Sequence, residues 1–145
     1  MWKDYLISIS KECQFKAPAT EADILLIKRD LDIDLPKKLA DLYKETNGVF
    51  GNYGSSFIWS TEQMVKENLF FGATIHEQDV SMRSLDTFLF FSDAGNGDLF
   101  GYSIENGRAQ NDDIYVWNHE DESRRVIASS LEEFLKGWIL GEISV

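Results

Sequence analysis

Phe88-Leu89-Phe90-Phe91 is apolar at four successive positions, and Asp93-Ala94-Gly95-Asn96-Gly97-Asp98 follows almost at once. A strand that is apolar on both faces must be covered on both sides, so Thr87 to Ser92 reads as a central strand. The six residues after it read as a turn, where Asp, Asn and Gly meet backbone demands that other residues resist. Leu99 to Ile104 alternates as the returning strand, and Glu105-Asn106-Gly107 is a second turn. Ile114-Tyr115-Val116-Trp117 makes a third strand. Asn118 to Arg125 is a polar loop, and Val126-Ile127-Ala128 is a short fourth strand. Hairpin connections of this kind imply an antiparallel sheet.

Helical periodicity flanks this meander. Trp2, Tyr5, Leu6 and Ile9 fall at i, i+3, i+4 and i+7, one face of a first helix that the segment around Pro18 ends. Thr20 with Asp23 has capping-box spacing for a second helix, lined by Ile24, Ile27 and Leu31. Pro36 suits the first position of a third helix, with Leu39, Leu42 and Tyr43 as its buried face and Asn47-Gly48 as its stop. A Gly-rich loop, Gly48 to Ser56, leads to a short strand at Phe57-Ile58-Trp59. Ser60 with Gln63 opens a fourth helix through Asn68. Phe70 to Ser84 has no clean period and reads as a loop with at most one strand. Ser130 with Glu133 opens a last helix, with the stripe Leu131, Phe134, Leu135 and Trp138 and a stop at Gly141. The expectation is a single α+β domain over residues 1–145, mostly antiparallel sheet, with N-terminal helices and one C-terminal helix packed against it.

At 145 residues the chain is long enough to bury a core without disulfides or metals, and its one cysteine, Cys13, excludes an internal disulfide framework. Apolar runs reach only four or five residues, too short to span a bilayer, and Met1 to Ser10 has no signal-peptide core, so the expected compartment is the cytoplasm. The formal charge is −11, from 14 basic and 25 acidic side chains, which disfavours direct binding of nucleic acid or an anionic membrane. Residues 86–122 hold nine acids against Arg108 alone, a net of −8. Self-repulsion makes such clustering unfavourable unless the groups are solvated or serve a basic partner.

Signatures for chemistry are sparse. Cys13, His76 and His119 are too scattered for a zinc site, and no base is spaced to activate Cys13. The Asp93 to Asp98 segment lacks the ligand alternation of a calcium loop. Asp112-Asp113 and Glu120-Asp121-Glu122 are adjacent acids in polar loops with no His or Lys placed beside them by spacing. The Gly-rich loop lacks the Gly-Lys-Ser/Thr ending that cradles phosphate. Trp59, Trp117 and Trp138 sit on apolar faces and read as core before they read as a ligand groove.

Taken in order, several segments resemble the SUKH superfamily (Smi/Knr-like), and its bacterial YobK-like members in particular. They are Thr20-x-x-Asp23-Ile24, Leu35-Pro36 opening a helix, Tyr43 with Asn47-Gly48 closing it, and Ile58-Trp59-Ser60. Phe90-Phe91-Ser92-Asp93-Ala94-Gly95-Asn96-Gly97-Asp98, Ile114 to Glu120 and Ala128 to Leu135 complete the set, which spans about residues 20 to 140. The resemblance implies an α+β fold in which Leu35, Pro36, Asn47, Gly48, Gly95 and Gly97 are structural positions. It also implies an immunity protein that binds a cognate secreted toxin, here expected to be a nuclease with a basic cleft. The alternative is a regulatory protein-interaction module without a toxin. No catalytic residue, cofactor or metal is assigned, and a metal-dependent enzyme using the acidic loops is the third class. The expected partner-binding residues are Asp93, Asp98, Asp112, Asp113, Glu120, Asp121 and Glu122.

Overall fold

Helix α1 (Trp2–Ile9) buries Trp2 and Leu6, two of the four residues in the periodic stripe. It has no side-chain cap of its own. The carboxylate of Glu45, from the end of a later helix, accepts the backbone N–H of Trp2 at 2.8 Å and of Lys3 at 3.1 Å. An anion at a helix N-terminus satisfies otherwise orphaned donors. Burial acts to raise the Glu45 pKa, but these bonds outweigh it and hold the group below its ordinary value. The structure, a computed structural model, describes residues 1–52, 55–78 and 88–145, and of residues 72–78 only the backbone. Gly54 of the Gly-rich loop, residues 79–84 of the expected loop, Asp86 and Thr87 lie outside the described residues, as does the side chain of His76.

The chain continues through β1 (Gln14–Phe15), α2 (Glu21–Leu31), α3 (Lys37–Glu45), β2 (Val49–Phe50) and β3 (Ser56–Ile58). The Thr20–Asp23 capping box is present in both directions, at 2.9 and 3.1 Å. Pro36 occupies the cap of α3 rather than its first helical position. Leu39, Leu42 and Tyr43 are fully buried beneath it. Asn47 does more than end a helix: its Oδ1 accepts the N–H of Thr61 at 2.8 Å and so caps α4 (Thr61–Gln78). Gly48 is at φ 105°, and a Cβ there would lie 3.0 Å from the Ile58 carbonyl. That helix corrects the sequence reading, since Phe70 to Gln78 is helical rather than loop. Cys13 is buried between α1 and β1, not on a helix, and burial raises its thiol pKa.

The second half is the expected meander: β4 (Phe88–Asp93), β5 (Leu99–Glu105), β6 (Arg108–Trp117) and β7 (Arg124–Ala128), antiparallel in the order β4-β5-β6-β7, then α5 (Leu131–Ile139). Asn106 at φ 54° and Gly107 at φ 79° are both left-handed, as a two-residue turn matching strand twist requires. β1, β2 and β3 form a separate three-stranded antiparallel sheet. β4 is therefore an outer strand of its own sheet, not a central one, although all but its last residue are buried.

Two groups occupy the outer edge of β4. The Trp59 N–H donates to the Phe91 carbonyl at 2.9 Å. The Asn68 side chain accepts the Phe90 N–H at 2.9 Å and donates to the Phe90 carbonyl at 2.7 Å, reproducing the bonds of a missing neighbour strand. Phe88 and Phe90 stack on one face, where Phe71 of α4 and Trp117 meet Phe90. Phe91, Phe100 and Tyr102 pack on the other, around Phe134 of α5. The Tyr43 hydroxyl reaches the Trp59 carbonyl at 2.7 Å, which satisfies a fully buried phenol. Among the described residues no helix is long and apolar enough to cross a membrane.

Candidate partner-binding surface

The β4–β5 hairpin builds one end of the sheet. Asp93 Oδ1 accepts the Gly95 N–H at 2.9 Å, and Oδ2 accepts the Trp59 indole N–H at 2.8 Å. Asn96 Oδ1 accepts the Asp98 N–H at 2.9 Å, and the Ala94 N–H closes onto the Asp98 carbonyl at 3.0 Å. Gly95 and Gly97 take φ of 86° and 104°, open only to residues that tolerate the left-handed region.

Asp98 does not face outward with the other acids. Its residue is 3 % exposed, and Oδ1 accepts both the backbone N–H of His119 at 3.1 Å and His119 Nδ1 at 2.6 Å. Burial acts to raise its pKa. The side-chain and backbone bonds from His119 outweigh that and hold Asp98 below the ordinary carboxylate value. An ionised Asp98 only accepts, so the imidazole carries its proton on Nδ1. The ring lies over Gly97, where a Cβ would come within 2.9 Å of it. Spacing alone gave no hint that His119 and Asp98 meet; strand pairing brings them together, with Leu99 opposite Trp117.

His119 begins the β6–β7 turn, the outer acidic element. Asn118 Oδ1 accepts the N–H groups of Glu120 at 2.8 Å and Asp121 at 3.3 Å. Asp121 Oδ1 accepts the Ser123 N–H at 2.9 Å, and Ser123 holds the Asp121 pKa down. Glu122 sits at φ 58°, with its N–H on the Asn118 carbonyl at 2.8 Å. Glu120 and Asp121 are exposed and Glu122 half-buried, on a turn whose backbone is already ordered.

Asp112 and Asp113 belong elsewhere. They lie within β6 rather than in a polar loop, beyond the register shift between Tyr102 and Ile104. Asp112 is exposed and its charge contributes to raising the Lys38 pKa, behind the Glu132 hydrogen bond. The same end of the sheet carries Arg108, 3.5 Å from Asp34, and Lys28, 3.3 Å from Asp34. The seven acids therefore divide. Asp93, Asp98 and Glu120 to Glu122 gather around one hairpin end, and Asp112 with Asp113 sits toward the other. Among the described residues no three His, Cys, Asp or Glu side chains come together as a metal-binding group.

Trp117 of β6 and Trp59, which lies just past the end of β3 rather than in the strand expected there, are buried, whereas Trp138 is only half-buried. A family model described as SMI1-KNR4 cell-wall matches residues 21–135. No curated protein matches the chain.

Proposed function

The chain belongs to the SMI1-KNR4 cell-wall family of the SUKH superfamily, and from that premise we propose that it is a bacterial, YobK-like immunity protein that binds and blocks a cognate protein toxin. The toxin is a nuclease, and the protein acts by occupying its basic cleft rather than by turnover. The observation that carries this reading is the Glu120-Asp121-Glu122 turn, ordered by Asn118 and Ser123 before any partner arrives. Acidic side chains carried on a preorganised turn beside a packed hairpin favour fast, oriented association with a cationic surface. The cytoplasm of the toxin-producing cell is where such a protein is needed.

Co-expression with the toxic domain encoded beside it tests the reading. The expected result is that growth is restored and a complex of the two proteins is isolated. Unrelieved toxicity with soluble protein present would overturn it. The family's cell-wall description favours the second reading, a regulatory interaction module. That reading expects no toxin gene beside this one and a cell-wall phenotype on deletion.

A further inference from the structure

Beside the β4–β5 hairpin lies a cleft of about 520 Å3. Trp138 at the end of α5 and Phe57 of β3 both line it, and both rings are half-buried. Each is held from behind. The Trp138 ring packs on Phe100 with centroids 5.0 Å apart, and the Phe57 ring lies so close over Gly51 that a Cβ there would come within 2.9 Å of it. Asp93, Ala94 and Gly95 supply the hairpin side of the cleft, and Gln63 the helix side.

Asp93 is the chemical core of this cleft. The Trp59 indole and the Gly95 N–H fix its two oxygens in place, each through one bond. A carboxylate accepts about four, so roughly half of its capacity is left. Among the described residues no cation pairs with it. A half-buried anion in a cleft that two aromatic rings also line is suited to a counter-cation, because desolvating a carboxylate costs free energy that a cation offsets. The group that matches this lining best is cationic, flat enough to lie against indole and phenyl rings, and able to donate two bonds to one carboxylate. A guanidinium meets all three conditions with a planar pair of parallel donors, while an ammonium is cationic and can donate but is not flat.

We propose that this cleft receives one arginine side chain of the protein partner, pairing with Asp93 and lying against Trp138 and Phe57. Only the ownership of that arginine rests on the immunity reading. The cleft adjoins the same hairpin that carries Asp98 and, through His119, the acidic turn. The turn would attract a basic surface and the cleft would fix its register.

The test separates cleft from partner. The first arm titrates isotope-labelled protein with the peptide acetyl-Gly-Arg-Gly-amide and with its lysine and citrulline counterparts, following the Trp138 indole and Gly95 amide signals. Saturable shifts with arginine are expected, with affinity at least about tenfold lower for lysine and for Asp93→Asn, and none with citrulline. Ala94→Leu fills the cleft without touching either Asp93 bond and should also abolish the shifts. Thermal melting of both variants confirms that they are folded. Equal shifts with citrulline, unchanged binding by folded Asp93→Asn, or shifts centred on Glu120 to Glu122 with Trp138 silent would overturn the cleft assignment. The second arm measures toxin affinity of the same variants, with a loss of at least about tenfold expected. Peptide binding without any such loss would overturn the arginine's assignment to the partner. Peptide binding by a protein that gives no protection at all would instead sink the immunity reading and leave the cleft intact.

Discussion

Asp98 shows why counting acids along a chain overstates an acidic surface. It belongs to the same excess as Glu120 and Asp121, yet it is buried and spends its charge on His119. Its folded pKa is depressed below the ordinary value of 3.8. A depressed carboxylate contributes stability in full above its unfolded pKa and loses it as pH falls through the folded one. Asp98→Ala should therefore cost about 1.5–3 kcal/mol near neutrality, because two donors lose a charged acceptor. The gap in urea midpoint from wild type should then narrow as the pH drops below the carboxylate range. A gap that stays constant with pH would show that Asp98 contributes through packing rather than charge. The residues that hold this pair, Gly97 beneath the ring and Asn96 on the Asp98 N–H, were legible as a turn. Their service to a residue 21 positions on was not.

At the scale of elements, what could be read depended on whether local chemistry or tertiary pairing decides the outcome. The Thr20–Asp23 box, the Asn106-Gly107 turn and the α5 stripe are local, and they appear where the residues place them. β1 and β2 have two residues each, too short for any period, and exist only because they pair with each other and with β3. The polar half of β6, Arg108 to Asp113, turns only Ala109 among its apolar residues toward the core, so it shows no alternation and only Ile114 to Trp117 read as strand. Phe70-Phe71 obscured the continuation of α4, since one ring is exposed and its neighbour packs on Phe90. The apolar run of β4 signals a strand covered on both faces, and the structure covers it while leaving it outermost rather than central. Covered faces and a paired edge are separate properties, and Asn68 with Trp59 supplies the second. Exposed strand edges invite pairing with other chains, and a polar side chain that occupies the ladder positions blunts that hazard. Asn68→Ala leaves the Phe90 N–H and carbonyl without these partners, at a cost of about 1–3 kcal/mol per buried group left unsatisfied. The expected readout is faster amide exchange at Phe90 and concentration-dependent aggregation on mild heating, with β5 to β7 unaffected. Unchanged exchange at Phe90 would show that Trp59 alone guards the edge.

At the scale of the whole molecule, the acids expected at the partner surface, buried Asp98 aside, fall into two patches separated along the sheet. At about 3.3 Å per residue, β6 alone puts roughly 13 Å between Asp113 and Trp117, and the acidic turn lies beyond Trp117. A standard protein interface covers about 800 Å2 on each partner. A footprint centred on the hairpin end therefore meets Asp93 and Glu120 to Glu122 first and reaches Asp112 and Asp113 only at its rim. Rim charges act mainly on association rate and salt dependence, and exposed charges are screened beyond about 8 Å at physiological ionic strength. The variant Glu120→Gln/Asp121→Asn/Glu122→Gln should slow toxin association and flatten its dependence on salt. Asp112→Asn/Asp113→Asn should have the smaller effect on both, and the two sets should combine additively because the patches share no partner. Association rates at low and physiological salt, with each set alone and together, decide the matter. Equal effects from both sets would place the footprint along the length of β6 instead of at the hairpin end. If neither set changes the rate or the protection of cells, those five acids serve solubility, and the toxin is held by other surface, the Asp93 cleft included.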